Sequence, residues 1–409
     1  NQLTVASVPS SVTSFGACSY CDNPIPNPSF LYKQSGGVVD CSVVRGYIGD
    51  LSEFSDKKFV IPSVVDGVAL REIASGAFSS MSLSGWTVVV PSTITYIGDS
   101  AFSYSGVAHI NLPEGLTYIG SNALYYNNLQ ELNIPSTVTY IGGAAFTNNQ
   151  VTNPDTMWIY YRNSSGIDYS KLIGYAGANR SNIVIPDEVT NITATFSGLG
   201  LTGTFDSGDG LTSIAGSMFE NNSLEKVIIG NNIKTIGSNA FRSNKISTLE
   251  LGNSVEILYS GSFYNNNLKK LVLPDSLKRI DNSSGTDGVR YGVFSRNYIE
   301  EITFGSGLEY IGYNAFVEYS GWYYKKGTYN KIKTIDLSAC KNLITIGHHA
   351  FYGVNAENVM LPDNLTTIGS GAFAENSIIS ADIGGNNLVI DSSAFYNNAI
   401  VNLSLSGTI

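Results

Sequence analysis

The chain has 409 residues, of which 43% are hydrophobic and 14% charged, with 42 Gly, 25 Tyr and a formal net charge of −10. That make-up belongs to a folded, turn-rich, β-rich protein and excludes disorder, while the acidic balance excludes the basic surface with which nucleic-acid binders displace counterions. No apolar run reaches the roughly 18 residues of a membrane span, and residues 1–30 lack the charged start and apolar centre of a signal peptide, so no membrane insertion of this segment is expected.

Residues 1–29 read as an N-terminal extension carrying Cys18 and Cys21 in the stretch CSYC. That pair suits a disulfide, half of a zinc site or a redox motif. Zinc needs two further ligands, and none lies nearby, which leaves a disulfide among Cys18, Cys21 and Cys41 or plain thiols. Residues 38–47, VVDCSVVRGY, alternate apolar and polar as a strand does. Any export signal or wall anchor is expected to have been removed or to lie outside these residues.

From about residue 61 one pattern takes over, an Ala-Phe pair preceded by Ile-Gly. Its anchors are Phe78, Phe102, Leu124, Phe146, Phe219, Phe241, Phe263, Phe294, Phe316, Phe351, Phe373 and Phe395, with Phe196 marking a degenerate copy, thirteen units in all. Consecutive anchors stand 24, 22, 22, 50, 23, 22, 22, 31, 22, 35, 22 and 22 residues apart. The period is 22, interrupted by insertions near 150–186, 281–293 and 317–331. Between anchors the pattern L-x-x-L-x-L recurs, as in LQELNIP (129–135) and LKKLVLP (268–274), and marks a short half-buried strand.

A unit of this size with one strand cannot bury its own apolar residues, so neighbours must stack strand beside strand into a parallel sheet. The anchors then form a spine between sheet and outer arc. Three residues after the anchor, Asn stands in eight units (Asn127, Asn149, Asn222, Asn244, Asn266, Asn297, Asn376 and Asn398), where an amide can satisfy backbone groups at a turn. The glycines after Ile read as tight bends.

The combined pattern I-G-x-x-A-F-x-x-N-x-L-x-x-L-x-L-P resembles the BspA-like (Treponema-type) leucine-rich repeats of bacterial cell-surface proteins over roughly residues 60–405. The resemblance implies a leucine-rich repeat solenoid, a curved right-handed superhelix with a parallel sheet on one face and turns or short helical segments on the other. It also implies a β-rich N-terminal cap over 30–60, a solenoid over 61–409, and a hairpin-bearing extended unit at 157–186.

Chemistry is sparse. Three histidines, His109, His348 and His349, limit acid–base schemes near neutral pH; the pair in IGHHAF reads as surface, and His109 points outward from a strand. A Cys340–His349 dyad is poorly placed for catalysis. No nucleotide-binding, zinc-protease or hydrolase motif occurs, and the acidic stretches 206–210 and 281–288 lack the alternation of a calcium loop. Glu300 and Glu301 stand one unit after Lys269 and Lys270, which predicts cross-strand ion pairs rather than a carboxylate dyad. No enzyme activity, cofactor or metal is expected.

Tyr96, Tyr118 and Tyr140 share one register and should stack between repeats. The extra residues between Phe316 and Phe351 contain SGWYYKKGTYNK (320–331), whose Trp322, Tyr323, Tyr324, Lys325, Lys326 and Tyr329 are the candidate ligand-binding loop. The expected function is a non-enzymatic, adhesin-like surface or secreted binding protein for an extracellular protein or glycan of host matrix or another cell, with no nucleic-acid partner; the alternatives are a structural spacer or display scaffold for a domain outside these residues and, behind it, an extracellular enzyme accessory module. The last strand, 400–405, leaves an open sheet edge that a longer chain or another subunit is expected to cover.

Overall fold

The computed structural model describes residues 30–35, 38–281, 291–317, 329–385 and 387–406. The chain divides into two compact units, Asn1–Asn179 with Asn191–Ala194 and Arg180–Thr190 with Thr195–Ile409. Each is a stack of short parallel β-strands, and among the described residues the single α-helical turn is Pro154–Met157.

The anchor segment explains the stacking. Around most anchors the backbone enters the left-handed region twice, two residues before and two after: Ser100 (φ 55) and Tyr104 (φ 56) around Phe102, Asn239 (φ 58) and Ser243 (φ 55) around Phe241. This double turn closes only some of its own hydrogen bonds, such as Arg242 N–H to the Asn239 carbonyl (3.1 Å), and the others run along the stack, from Phe102 N–H to the Ala123 carbonyl (2.7 Å) and from Phe241 N–H to the Ser262 carbonyl (2.8 Å). Successive turns therefore lie very close. A Cβ on Gly98 would sit 2.5 Å from the Ser75 nitrogen, and one on Gly142 would sit 2.3 Å from the Ser121 nitrogen. These glycines have ordinary φ; close approach of the preceding turn, not a bend, requires them.

The Asn residues lock adjacent turns. Asn266, 2% exposed, accepts the Ile246 N–H at Oδ1 (3.1 Å) while Nδ2 donates to the Phe241 carbonyl (3.0 Å) and the Phe263 carbonyl (3.1 Å). Asn127, Asn149, Asn222, Asn244, Asn297, Asn376 and Asn398 make the same kind of bridge. Ser105 substitutes after Phe102, donating to the Phe78 carbonyl (2.6 Å) and accepting from Met81 N–H (3.3 Å). Beneath this ladder the rings stack. In the second unit centroids run 5.2 Å from Phe196 to Phe219, 5.3 Å to Phe241, 5.5 Å to Phe263, 5.8 Å to Phe294 and 5.5 Å to Phe316. They continue 4.9 Å to Phe351, 5.5 Å to Phe373 and 5.1 Å to Phe395. In the first unit Phe78 lies 5.1 Å from Phe102, and Leu124 and Phe146 are buried behind them.

Most repeats carry two strands rather than the one that their sequence displays, although 129–135, read as a strand from its pattern, forms none. The L-x-L positions form one ladder, such as Ser181–Val184, Thr202–Asp206, Ser223–Ile228 and Thr248–Glu250. The two residues before Gly form another, an eight-stranded run in the second unit from Ser213–Ile214 to Val389–Ile390. In the inner members of this run the second residue is buried and the first is half-exposed.

The first unit opens with an antiparallel hairpin, Phe30–Ser35 with Val38–Tyr47, whose second strand joins the parallel ladder at Glu72–Ile73. The extension after Phe146 is a second copy of it. Residues 30–51 align with 158–179 without a gap, keeping Tyr32/Tyr160, Asp40/Asp168, Ser42/Ser170, Gly46/Gly174, Tyr47/Tyr175 and Gly49/Gly177. Trp158–Asn163 pairs with Gly166–Tyr175 in the same register with the same two irregularities, and joins Asn191–Ile192 as the first hairpin joins its own ladder. Both bulges are held by an Asp whose Oδ1 accepts from the Ser two residues on, at 3.0 Å from its N–H.

Replacing Asn266 by Ala strands one N–H and two carbonyls in a dry turn, and the expected cost is on the order of 3 kcal/mol, close to that of truncating a core Phe. Urea unfolding with amide exchange at Ile246 measures it; a loss below about 0.5 kcal/mol would contradict the bridging role.

Candidate binding surface

Anchor, Asn and glycine positions are committed to packing, and the place after the anchor is buried in several repeats, as at Ser103, Tyr264 and Ser295, while the place two after it is open or half-open at Tyr104, Tyr126, Asn221 and Arg296. In the second unit those places hold a cationic and aromatic cluster. The Arg242 guanidinium lies 4.1 Å above the Tyr291 ring and 5.7 Å from the Tyr264 ring, and Tyr264 and Tyr291 are 4.4 Å apart. Arg296 lies 5.5 Å from Tyr264 and 5.9 Å from Tyr329, which meets Tyr298 at 5.6 Å. Tyr264 is buried and forms the floor; Tyr298 is 42% exposed.

Two inserted stretches leave the repeat here. One lies between Asp281 and Tyr291, the other between Val317 and Tyr329, so Tyr291 and Tyr329 are the feet of both. The second is bounded by a residue that sequence spacing hides. Asn330, 3% exposed, accepts the Ile299 N–H (2.9 Å) and donates to the Phe294 (3.0 Å) and Phe316 (2.6 Å) carbonyls, the bridge that belongs to this repeat. Eleven extra residues push it from three to fourteen places beyond Phe316. Of the candidate loop, Trp322, Tyr323, Tyr324, Lys325 and Lys326 lie outside the described residues; Tyr329 is half-buried against Arg296 and Tyr298.

Other singled-out residues serve the stack. Lys270 pairs with Glu301 at 3.4 Å across adjacent strands, and Lys226 with Glu250 at 2.7 Å; exposed pairs of this kind each contribute a few tenths of a kcal/mol. Asp209 in the acidic stretch 206–210 accepts the Asn231 N–H (3.0 Å) and donates its own to Asp187 (2.9 Å), a turn ladder. Among the described residues no group of His, Cys, Asp and Glu could hold a metal. His109 is exposed on its strand, and His348 stacks on Tyr313 at 4.8 Å while Nδ1 accepts the Ser370 N–H. His349 occupies the left-handed position before Phe351 (φ 53). Cys340 is fully buried, its Sγ–H donates to the Gly305 carbonyl, and burial pushes its thiol up to about 11, the opposite of an activated nucleophile. Cys41 is a buried free thiol, with Cys18 and Cys21 outside the described residues.

The first unit has two tyrosine surfaces. Tyr96, Tyr118 and Tyr140 stack face to face at 4.2 and 4.5 Å, and partial burial holds the Tyr118 and Tyr140 phenols above their ordinary range. The second was not legible in sequence. Tyr104 and Tyr126 both occupy the left-handed position two after the anchor, 56% and 57% exposed, stacked at 5.0 Å with Tyr125 beside them. A bulky aromatic there costs about 1–2 kcal/mol relative to Gly, and Asn bears it better. Asn fills the same place at Asn148, Asn221, Asn265 and Asn397.

Tyr126→Asn is accordingly expected to leave stability unchanged or to raise it by up to about 1 kcal/mol in thermal unfolding; a drop of more than about 1 kcal/mol would make these rings packing elements. In the native protein Cys340 should stay unmodified by an aromatic disulfide reagent at about pH 8 and react on unfolding, whereas prompt native reaction would contradict its burial.

A family model described as the BspA type leucine-rich repeat region matches six copies over residues 56–154, 174–284 and 323–409. Among solved structures, a leucine-rich repeat protein from Bacteroides ovatus is similar at 18% identity, covering 90% of this chain and 99% of that one, with a TM-score of 0.44. The pneumococcal vaccine antigen PcpA is similar at 15% identity, covering 94% and 99%, with a TM-score of 0.40. A leucine-rich cell surface protein from Faecalibacterium prausnitzii is similar at 17% identity, covering 94% of each, with a TM-score of 0.26. No curated protein matches. With the family model covering well over half of its length, the chain belongs to the BspA-type leucine-rich repeat family.

Proposed function

We propose that this chain is a non-enzymatic recognition protein, surface-held or secreted, that binds an extracellular protein or glycan through the edge where the two inserted stretches leave the second unit. The observation that carries the reading is the Arg242, Tyr264, Tyr291, Arg296, Tyr298 and Tyr329 cluster at the feet of both stretches. None of its side chains is needed by the ladder of Asn bridges. Clustered arginine and tyrosine supply large rigid contact area and cation–π capacity, and such residues dominate binding energetics. Arg242 also pairs with Glu220 at 3.4 Å, so the rings rather than net positive charge carry the contact area. Trp322, Tyr323, Tyr324, Lys325 and Lys326 extend the same chemistry into the inserted stretch. Placement at or outside the cell surface rests on family membership. No helix among the described residues is long and apolar enough to cross a membrane.

The test is saturable binding of the purified chain to immobilised extracellular-matrix proteins and a glycan array, beside a variant lacking 318–328 and Arg296→Ala. At least one ligand is expected to bind, the deletion should weaken it by about tenfold or more, and the melting temperature should stay within about 2 °C. Absence of any saturable ligand would favour the spacer reading. A large loss of melting temperature on deletion would make the stretch packing rather than a contact.

A further inference from the structure

The second hairpin differs from the first where it faces a cleft. The hairpin and the residues Leu132–Ile134 of the preceding repeat enclose about 240 Å³ lined by Trp158, Tyr160, Tyr169, Arg162, Thr156 and Asn133, among others. The positions that shape the hairpin, Asp168, Ser170, Gly174 and Tyr175, are identical to their counterparts in the first copy. Of the lining positions, Tyr160 is shared with Tyr32 and others differ. Trp158 stands where the first copy has Phe30, Arg162 where it has Gln34, and Tyr169 where it has Cys41. The divergence of this copy thus adds one ring, enlarges another and adds a cation on one face of a hairpin whose register is kept.

Three features of the cleft point to a ligand. Arg162 is half-buried, one guanidinium N–H is spent on the Pro135 carbonyl (3.1 Å), and among the described residues no carboxylate pairs with it. The Thr156 hydroxyl is buried without a hydrogen-bond partner, a state that usually signals a missing one. Tyr160 and Tyr169 pack edge to face at 5.1 Å, and the 55% exposed Tyr169 brings an aromatic surface to the rim. The volume lies below the roughly 300–1,000 Å³ of sites for drug-sized molecules, so the cleft suits one ring rather than a chain.

We propose that this cleft binds a single carboxylated sugar residue, a uronate or sialate at the end or on a branch of a glycan. Tyr169 and Tyr160 stack on its C–H face, Thr156 and Asn133 bond its hydroxyls, and the free edge of Arg162 pairs with its carboxylate. An acidic peptide would satisfy Arg162 but would leave the ring-shaped apolar surface and the Thr156 hydroxyl unused.

Saturation-transfer NMR on the full chain with D-glucuronate, N-acetylneuraminate, D-glucose, acetate and a short Asp-containing peptide tests this. At least one acidic sugar should bind about tenfold or more tightly than glucose, acetate or the peptide. Arg162→Gln and Tyr169→Ala should each weaken that binding about tenfold, and deleting 318–328 should not change it, which separates this site from the one proposed above. Tyr169→Ala on the exposed rim keeps the test valid if Arg162→Gln unfolds the hairpin. No transfer to either acidic sugar, equal affinity for glucose or for the peptide, or unchanged binding in a folded Tyr169→Ala variant would overturn the proposal.

Discussion

A turn that bends twice through the left-handed region leaves its anchor carbonyl and anchor N–H without a partner inside the turn, and the fold follows from how that deficit is met. Anchor turns hand hydrogen bonds to the next copy, and in most repeats one amide binds two anchor carbonyls and a backbone N–H together, as Asn244 does for Phe219, Phe241 and Leu224. An amide side chain is suited to this because it carries donors and an acceptor on one short rigid group. The stacked Phe rings and the two-residue strands fit inside the spacing that these bridges set. No repeat is complete alone, which is why the pattern tolerates insertions between bridges but not at them.

That division places the variable surface. The place two after the anchor is fixed in backbone but open in side chain, so Tyr104 and Tyr126 in the first unit and Arg296 in the second, with Arg242 one place after its anchor, carry chemistry that the stack does not use. The hairpin follows the same logic at larger scale. Its bulge, its Gly and its Tyr recur in both copies, while Trp158, Arg162 and Tyr169 on the face that lines the cleft differ from Phe30, Gln34 and Cys41.

Much of this was legible in sequence because a strict period with a large apolar anchor is a strong signal. Phe78 through Phe373 and seven of the eight read Asn residues are buried in the spine and its bridges; Phe395 and Asn398, in the last repeat, are half-exposed. The second ladder was not legible, since strands of two residues such as Thr235–Ile236 are too short to show alternation. Asn330 escaped because eleven residues displace it from its anchor, and the hairpin copy because only six scattered positions in it are shared. The exposed Tyr pair escaped for a different reason. Sequence shows that Tyr104 and Tyr126 are equivalent, but only the backbone shows that their place is left-handed and open to solvent.

The central claim, that bridging amides rather than the short strands hold successive repeats together, is tested most directly by native-state hydrogen exchange on the unmodified chain. The account predicts that the N–H groups bonded to bridging Asn, including Leu224, Ile246 and the Ile299 amide held by the displaced Asn330, are among the slowest to exchange, and that Ile299 is as protected as its neighbours Leu268 and Ile246. Fast exchange at Ile299, or bridged amides exchanging before the two-residue strands around them, would contradict it.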